Sequence, residues 1–423
     1  MADLSVDFVG IKSPNPFWLA SAPPTNMGSM VERAFDAGWG GAVWKTLGEP
    51  IVNVCSRLAA VDLGPQRMMG LNNIELITDR PLEVNLSEIR EVKRKYPKHA
   101  LIISLMVESK REAWHEIAKK VEDTGADGVE LNFGCPHGMS ERGMGSAMGQ
   151  VPDYTCMVTE WVKEATRLPV IVKLTPNVTS INPPARAAVR GGADALSLIN
   201  TINSVMGVNL DTMIPHPNVN GMAAHGGYCG PAVKPIALNM VSELARDQEV
   251  GVPISGIGGI SNWRDAAEFL LLGATTVQVC TAVMHYGYRI VEDMIDGLSN
   301  YLDEKGFQSV NEIIGRSVQR LTDWGNLDLH YKTVARIDHS LCIRCNLCHI
   351  ACEDGAHQCI PLVEINGKRL PVVDEHECVG CNLCYLVCPS PGCISMVRLD
   401  DGSQPLTWRE FTSRPAETMT GDF

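Results

Sequence analysis

The chain has 423 residues, of which 45% are hydrophobic and 20% charged, a globular composition that excludes a wholly disordered protein. With 36 basic and 49 acidic residues, the net charge is −13, which argues against binding to nucleic-acid phosphates. There is no apolar run near the ~18 residues of a membrane span and no secretory signal pattern at the start. The sequence therefore predicts a cytoplasmic protein that binds neither nucleic acid nor membrane.

Eight short apolar runs alternate with amphipathic stretches between about residues 17 and 298. Continuous apolar runs are typical of parallel strands that are covered on both faces. Strand–helix alternation repeated eight times predicts an α/β fold, a (β/α)8 TIM barrel, with a doubly wound open sheet as the alternative. The predicted strands are Phe17–Ala22, Gly41–Thr46, Ala100–Met106, Gly128–Asn132, Val170–Leu174, Ala195–Asn200, Pro253–Gly258 and Thr276–Thr281.

Helical patterns separate these runs, and one connection is unusually long. The connection from Lys45 to Ala100 predicts a lid or active-site loop, because long insertions in compact domains are usually functional. The predicted helices are Met27–Asp36, Leu86–Lys95, Arg111–Asp123, Asn262–Leu272 and a helical stretch from Val310 to Leu321.

Active-site residues of barrels lie at the carboxyl ends of the strands. Lysines, amides and hydroxyls cluster at these ends here, which predicts a polar ligand, because such groups are costly to bury without partners. Glycines after strands seven and eight stand where barrels commonly bind phosphate. The strand-end residues are Ala20, Ser21, Lys45, Thr46, Asn132, Lys173, Asn200, Thr201, Gly258, Gly259, Cys280 and Thr281.

Cys135 opens a glycine-rich loop that follows the fourth strand and extends to Gly149. Such a loop can close over a ligand. A cysteine there can donate a proton, act as a nucleophile or be a buried small residue. The neighbours Asn132 and His137 favour acid–base work.

Eight of the 15 cysteines form two runs with the spacing C-x2-C-x2-C-x3-C. Three thiolates of such a run bind one [4Fe–4S] cluster, and the fourth reaches to the other cluster. Zinc sites instead favour separated cysteine pairs. The pattern predicts one cluster on Cys342, Cys345, Cys348 and Cys388, and another on Cys378, Cys381, Cys384 and Cys352.

Paired clusters generally carry single electrons, so the barrel needs a group that also handles electron pairs, as a flavin does. No G-x-G-x-x-G motif follows a strand, so we expect no NAD site on this chain. We expect a flavin barrel in residues 1–300, a linker or packing arm in 301–335, a ferredoxin-like two-cluster domain in 336–398 and a polar tail in 399–423.

The chain resembles the flavin and iron–sulfur half of the dihydropyrimidine dehydrogenases, most closely the separate bacterial subunit, and its barrel is similar to that of class 1 dihydroorotate dehydrogenases. The resemblance covers about residues 4 to 398. It is carried by the doubled cysteine run and by the segments Glu130–Met139, Lys173–Asn177, Leu71–Glu75 and Asn200-Thr201.

The resemblance implies FMN in the barrel mouth, with Lys45, Lys173, Asn200 and Thr201 beside the ring and ribityl chain. Ala20, Ser21, Thr46 and Gly230 belong to the same implied site, and Gly258, Gly259, Cys280 and Thr281 to its phosphate end. It implies that Asn73, Asn132, Asn200 and Thr201 bind uracil or thymine, because amides match the alternating N–H and C=O groups of the ring. It implies Cys135 as the general acid, since a thiol is mostly protonated at neutral pH.

Family members often carry Ser before this cysteine, whereas this chain has Gly134. The resemblance also implies a separate FAD- and NAD(P)H-binding partner subunit and a homodimeric core within a heterotetramer. Three alternatives stay open: a dihydroorotate dehydrogenase-like enzyme, in which Arg142 supplies the cation for a carboxylate; an electron-transfer subunit without substrate chemistry; and, against the acidic charge, a flavin-dependent tRNA reductase.

Overall fold

Eight parallel strands close into a barrel in the computed structural model, which describes residues 2–52, 55–63, 66–136, 138, 140–400, 402 and 406–415. Each strand pairs with the strands before and after it in the chain, and the eighth pairs with the first. The TIM barrel is thereby confirmed, and the open sheet is wrong. The strands are β1 Phe17–Leu19, β2 Gly41–Leu47, β3 Ala100–Leu105, β4 Gly128–Asn132, β5 Val170–Lys173, β6 Ala195–Leu198, β7 Ile254–Ile257 and β8 Ala274–Val279.

Helices follow these strands and pack apolar faces against the barrel. The Asn262 side chain accepts hydrogen bonds from the backbone N–H groups of Arg264 and Asp265, which caps the helix after β7 as predicted. The helices are α1 Gly28–Ala37, α2 Leu82–Lys95, α3 Arg111–Glu122, α4 Ser146–Gly149, α5 Pro152–Ala165, α6 Asn182–Arg190, α7 Lys234–Arg246, α8 Trp263–Leu271, α9 Thr281–Tyr286 and α10 Ile290–Lys305.

The long connection after β2 is more ordered than a simple lid loop. It forms a hairpin, Leu58–Leu63 with Gln66–Asn73, that extends an antiparallel sheet with Gly226–Cys229 and Ile202–Ser204 from the connection after β6. We call this four-stranded sheet the roof sheet. Asn73 pairs with Gly227 in it, and the Asn73 Nδ2 donates to the Gly227 carbonyl oxygen at 3.1 Å.

The chain divides into two compact units, Met1–Arg320 and Leu321–Phe423. The helix predicted from Val310 to Leu321 is wrong: two short 3-10 turns, Val310–Glu312 and Val318–Arg320, stand there instead. Gly315 lies between them with φ of 74°, a left-handed conformation that ends helical winding.

The second unit is built around two short helices and two antiparallel strand pairs. Strand Thr333–Ile337 pairs with Ile394–Arg398, and Leu362–Ile365 pairs with Lys368–Pro371. The helices, Leu347–Gly355 and Leu383–Leu386, each begin inside one of the cysteine runs.

The chain's tail adds a short helix to this unit, Trp408–Thr412, which packs on the turn Trp324–Asn326. Residues 401, 403–405 and 416–423 of the predicted tail lie outside the described residues. In the described part of the chain, no helix has the length and apolar character needed to cross a membrane.

Candidate functional site

A cavity of about 1160 Å3, counted with its open mouth, lies at the carboxyl ends of the barrel strands. The strand ends supply its walls and the roof sheet covers part of it, through Leu58, Leu71 and Asn73. All the barrel residues that the sequence predicts for the site line this one cavity: Ala20, Ser21, Lys45, Thr46, Asn73, Asn132, Cys135, Lys173, Asn200, Thr201, Gly230, Gly258, Gly259, Cys280 and Thr281. His137, predicted as a neighbour of Cys135, lies outside the described residues.

Two asparagines form the centre of a hydrogen-bonded array on one wall. The Asn132 Oδ1 accepts from the Asn200 Nδ2 at 2.9 Å, and the Asn132 Nδ2 donates to the Thr46 Oγ1 at 3.1 Å. The Asn200 Oδ1 accepts from the backbone N–H of Thr201 at 2.8 Å. These bonds fix which end of each amide is oxygen, and they use one of the two hydrogens on each Nδ2. The remaining hydrogens suit ligand carbonyl groups.

Two lysines bring positive charge into the cavity. Lys45 is 4% exposed and forms an ion pair with Glu75, whose other carboxylate oxygen lies 2.5 Å from the Arg57 Nε. Lys173 is also buried, and its Nζ lies 3.8 Å from a carboxylate oxygen of Glu130. Each lysine charge is thus compensated by a carboxylate, as buried charges require.

The barrel interior continues this polar character below the cavity. Glu130 is fully buried, and its Oε2 accepts from the Ser197 Oγ at 2.8 Å and from the Gln278 Nε2 at 3.1 Å. Gln278 lines the cavity, and its buried Oε1 has no hydrogen-bond partner within the described ranges. An unpartnered buried amide oxygen at a cavity wall is typical of a site for a polar ligand.

Glycines shape the end of the cavity beside β7. Gly230, Gly258 and Gly259 have φ of 96°, 128° and 76°, which side chains disfavour. A Cβ on Gly259 would lie 2.9 Å from the Gly230 carbonyl oxygen. Side chains at Gly258 and Gly259 would collide with neighbouring chain atoms, so these glycines let the backbone segments approach closely at the end of the cavity where a phosphate-binding cradle is expected.

Cys135 sits among apolar neighbours at the cavity edge. It is 8% exposed and packs with Ile77, Met106 and Met144. Its carbonyl oxygen accepts from the Ser146 N–H at 3.0 Å, which ties the start of the loop to its end. Elsewhere in the wall, burial raises the pKa of Cys229 and raises that of Cys280 to about 12, so both stay thiols at neutral pH.

The cysteine runs form two further cavities in the second unit, each about 310 Å3. One is lined by Cys342, Cys345, Cys348 and Cys388, and the other by Cys352, Cys378, Cys381 and Cys384. These are the two sets that the spacing predicts, with the fourth ligand exchanged between the runs. Among the described residues, no three His, Cys, Asp or Glu side chains are placed to hold a single metal ion, and a cubane spaces its thiolates more widely.

The backbone around the two cavities repeats itself. Arg344 and Asn346 have φ of 61° and 60°, and the corresponding Gly380 and Asn382 have 69° and 70°. These left-handed residues flank the second cysteine of each run and turn the chain around the cavity. The chemistry of the donors, the cavity and this repeated turn fit a [4Fe–4S] cluster in each place.

Glu75 and Gln278 are among the cavity residues that the sequence analysis missed. Glu75 lies inside the Leu71–Glu75 segment that carries the resemblance, so its motif pointed to it. Gln278 lies in strand β8, where a single amide in a largely buried strand was the only signal.

Comparison with known proteins agrees with both units. The family described as dihydroorotate dehydrogenase matches residues 3–302, and the 4Fe-4S dicluster domain matches residues 335–396. The fold and site thus define an oxidoreductase of the dihydroorotate dehydrogenase family that carries a 4Fe–4S domain.

Curated relatives narrow this class. The NAD-dependent dihydropyrimidine dehydrogenase subunit PreA of Escherichia coli (strain K12) is 45% identical over 361 residues, 84% of this chain and 87% of that protein. The chloroplastic dihydropyrimidine dehydrogenase (NADP(+)) of Arabidopsis thaliana is 42% identical over 76% of this chain and 78% of its own length. The chain belongs to the dihydropyrimidine dehydrogenase family.

A more distant relative is the catalytic subunit of dihydroorotate dehydrogenase B (NAD(+)) from Pyrococcus abyssi. It is 37% identical over 316 residues, which are 75% of this chain and 99% of that protein. This relative is therefore about as long as the barrel unit alone.

Proposed function

We propose that this protein reduces uracil or thymine to the 5,6-dihydropyrimidine, with FMN in the barrel cavity, two [4Fe–4S] clusters in the second unit, and electrons that come from a separate NAD(P)H- and FAD-binding subunit. The observation that carries the proposal is the convergence of the Asn132–Asn200 array, two compensated lysines and Cys135 on one cavity. The names of the two dihydropyrimidine dehydrogenase relatives support it.

The cavity residues fit FMN. Lys45 and Lys173 would offer ammonium groups to a ring that becomes anionic on reduction. The Gln278 Oε1, which has no hydrogen-bond partner among the described residues, would accept a hydrogen bond from a ring N–H group. The cradle of Gly230, Gly258 and Gly259 suits the phosphate. When bound, FMN supplies the hydride, from its N5 to C6 of the pyrimidine.

The pyrimidine is held by side chains that offer donors and an acceptor. Asn132 and Asn200 each have an amide hydrogen for a ring carbonyl group, and the Glu75 carboxylate accepts from a ring N–H group. Asn73 and Thr201 complete the set. Cys135 donates its S–H proton to C5 and takes a proton back from solvent, so the product gains one hydride and one proton overall.

The second unit delivers electrons in this scheme. Its two cysteine sets would hold the clusters, whose chemistry would supply single electrons for reduction of the flavin. Thiolate clusters of this kind need a reducing compartment, which supports a cytoplasmic location. The name of the Escherichia coli relative describes a subunit, which supports an assembly with a separate partner. The proposed assembly has a homodimeric core in a heterotetramer.

The test is anaerobic. The purified chain, loaded with its cofactors, is reduced with dithionite and mixed with uracil, thymine or orotate. Reoxidation is followed by the visible absorbance of the flavin. We expect reoxidation, which Cys135→Ala slows by about 10²–10⁴-fold, the usual contribution of a general acid. Cys156→Ala is the matched control, because Cys156 lies on α5 and does not line the cavity. Reoxidation by orotate alone would favour the dihydroorotate dehydrogenase alternative, and reoxidation by none of the three would favour an electron-transfer subunit.

A further inference from the structure

Two cysteines that the ligand pattern does not use lie in the cluster cavities. Cys359 lines the cavity of Cys352, Cys378, Cys381 and Cys384, and Cys393 lines that of Cys342, Cys345, Cys348 and Cys388. They are 4% and 3% exposed. Each cavity therefore contains five thiols, although a cubane takes four.

Both extra cysteines are held by the same backbone construction. The Cys359 carbonyl oxygen accepts from the Asp374 N–H at 2.8 Å, and the Cys393 carbonyl oxygen accepts from the Asp338 N–H at 2.7 Å. Each aspartate stands four residues before the first cysteine of its run, and its Oδ1 accepts from the backbone N–H two residues later. A construction that occurs twice around two equivalent cavities indicates one role for both thiols.

The extra thiols face ligand sulfur atoms. The Cys359 Sγ lies 3.5 Å from the Cys352 Sγ, and the Cys359 backbone N–H donates to that same sulfur at 3.3 Å. In the other cavity, Cys393 lies beside Cys388 and Cys342, and its thiol donates to the Asp338 carbonyl oxygen at 3.6 Å. Cys352 and Cys388 are the two ligands that cross between the runs, so each extra thiol sits beside the crossing ligand of its cluster.

We infer that Cys359 and Cys393 are not ligands but S–H donors to the crossing thiolates, and that each raises the reduction potential of its own cluster. The inference rests on the two clusters of the proposed function. Hydrogen bonds to cluster sulfur atoms are a known determinant of potential. Each cluster gains one electron on reduction, so its sulfur atoms become more negative and hold an S–H donor more strongly. Each thiol keeps its proton throughout, and no ligand is exchanged. For Cys393, the S–H group turns from the neutral Asp338 carbonyl oxygen to the negatively charged Cys388 thiolate, which is the stronger acceptor.

The experiment compares five forms of the cofactor-loaded chain: the parent, Cys359→Ala, Cys393→Ala, Cys359→Ser and Cys393→Ser. Iron and sulfide content are measured first, and then the two cluster potentials by anaerobic titration followed by electron paramagnetic resonance. A parent without two clusters would refute the proposed function itself, before any variant is compared. With two clusters present, the variants test the extra thiols alone.

We expect every variant to keep the parent's iron content. Cys359→Ala should lower the potential of one cluster and Cys393→Ala that of the other, so each variant is the control for its counterpart. At a fixed applied potential, the ratio of reduced to oxidised cluster should fall about two- to tenfold, the usual net value of a hydrogen bond. The serine variants keep a donor and should keep potentials at or above the parent's.

Three results would overturn the inference. The first is unchanged potentials in both alanine variants. The second is loss of a cluster from Cys359→Ala or Cys393→Ala, which would make that thiol a ligand. The third is full iron content in Cys352→Ala with loss of a cluster in the double variant Cys352→Ala/Cys359→Ala, which would show that Cys359 ligates in place of Cys352.

Discussion

Gly134 gives the sharpest test of the amide array. A Cβ at this position would lie 2.3 Å from the Asn200 Cβ and 2.4 Å from its Nδ2. Contacts below 3.0 Å require a shift, and the Asn200 Cβ cannot rotate away because it is fixed to the backbone. The Gly134→Ala variant must therefore displace either the Cys135 loop or Asn200 itself.

The displacement weakens hydrogen bonds that orient the side chains proposed to bind the substrate. The Asn200 Nδ2 donates to the Asn132 Oδ1, which also accepts from the Gly134 N–H at 3.2 Å. Loss of one or two such bonds, or of their equivalents to the pyrimidine, costs about 1–3 kcal/mol. That energy corresponds to a decrease of roughly 5- to 150-fold in kcat/KM for uracil.

The assay is the flavin reoxidation described above, run across uracil concentrations. We expect Gly134→Ala to bind flavin and be reduced by dithionite like the parent, and to need more uracil for the same rate. Gly355→Ala is the matched control, because a Cβ there meets only the Leu383 Cδ2, at 3.8 Å. An unchanged kcat/KM in Gly134→Ala would refute the packing argument. It would also show that a side chain can be accommodated at this position without moving Asn200.

Three further outcomes are expected. Asn262→Ala removes the cap of α8 and should destabilise the barrel unit by about 1 kcal/mol in urea unfolding, while Asn262→Ser, which keeps a capping oxygen without adding a carboxylate beside Asp265, should stay nearer the parent; equal loss in both variants would contradict a capping role. The hydrogen-bonded Arg80 guanidinium holds the pKa of Glu88 below its usual 4.5, so this stabilisation is present above pH 4.5 and is lost as pH falls through the folded-state pKa. The lower unfolding temperature of Glu88→Gln should therefore approach the parent's in acid, and a deficit that is constant with pH would argue against the ion pair. Burial raises the pKa of Cys280 to about 12, so iodoacetamide at neutral pH should leave it unlabelled while the exposed Cys55 reacts; early labelling of Cys280 in a peptide map would contradict the raised pKa.

Features that depend on local pattern were predictable from the sequence. The barrel followed from strands such as Val170–Lys173, whose residues are all buried and therefore all apolar or at a strand end. The two cysteine sets followed from spacing, and the cavity lining followed because strand ends of a barrel meet on one face.

Features that depend on distant contacts were not predictable. The roof sheet pairs Asn73 with Gly227, which lies 154 positions later in the chain. No local sequence pattern in either segment indicates that they pair. Glu75 is held in the cavity wall by ion pairs with Lys45 and Arg57. Gln278 is held by its hydrogen bond to Glu130 on another strand. The short tail helix packs through the contact of Trp408 with Trp324, which the sequence does not indicate. The stretch after Val310 does not form one helix because Gly315 interrupts it.

The roof sheet also constrains the order in which the molecule forms. Its hydrogen bond between Asn73 and Gly227 joins residues 154 positions apart, and strands β3 to β6 lie between them. Closing so long a loop loses chain entropy that the few contacts of the sheet edge cannot offset alone. The pairing of the hairpin at Leu58–Asn73 with Gly226–Cys229 is therefore expected to follow formation of the intervening barrel strands. On this expectation the mouth stays open until late in folding, and a planar ring can enter before the roof sheet covers it.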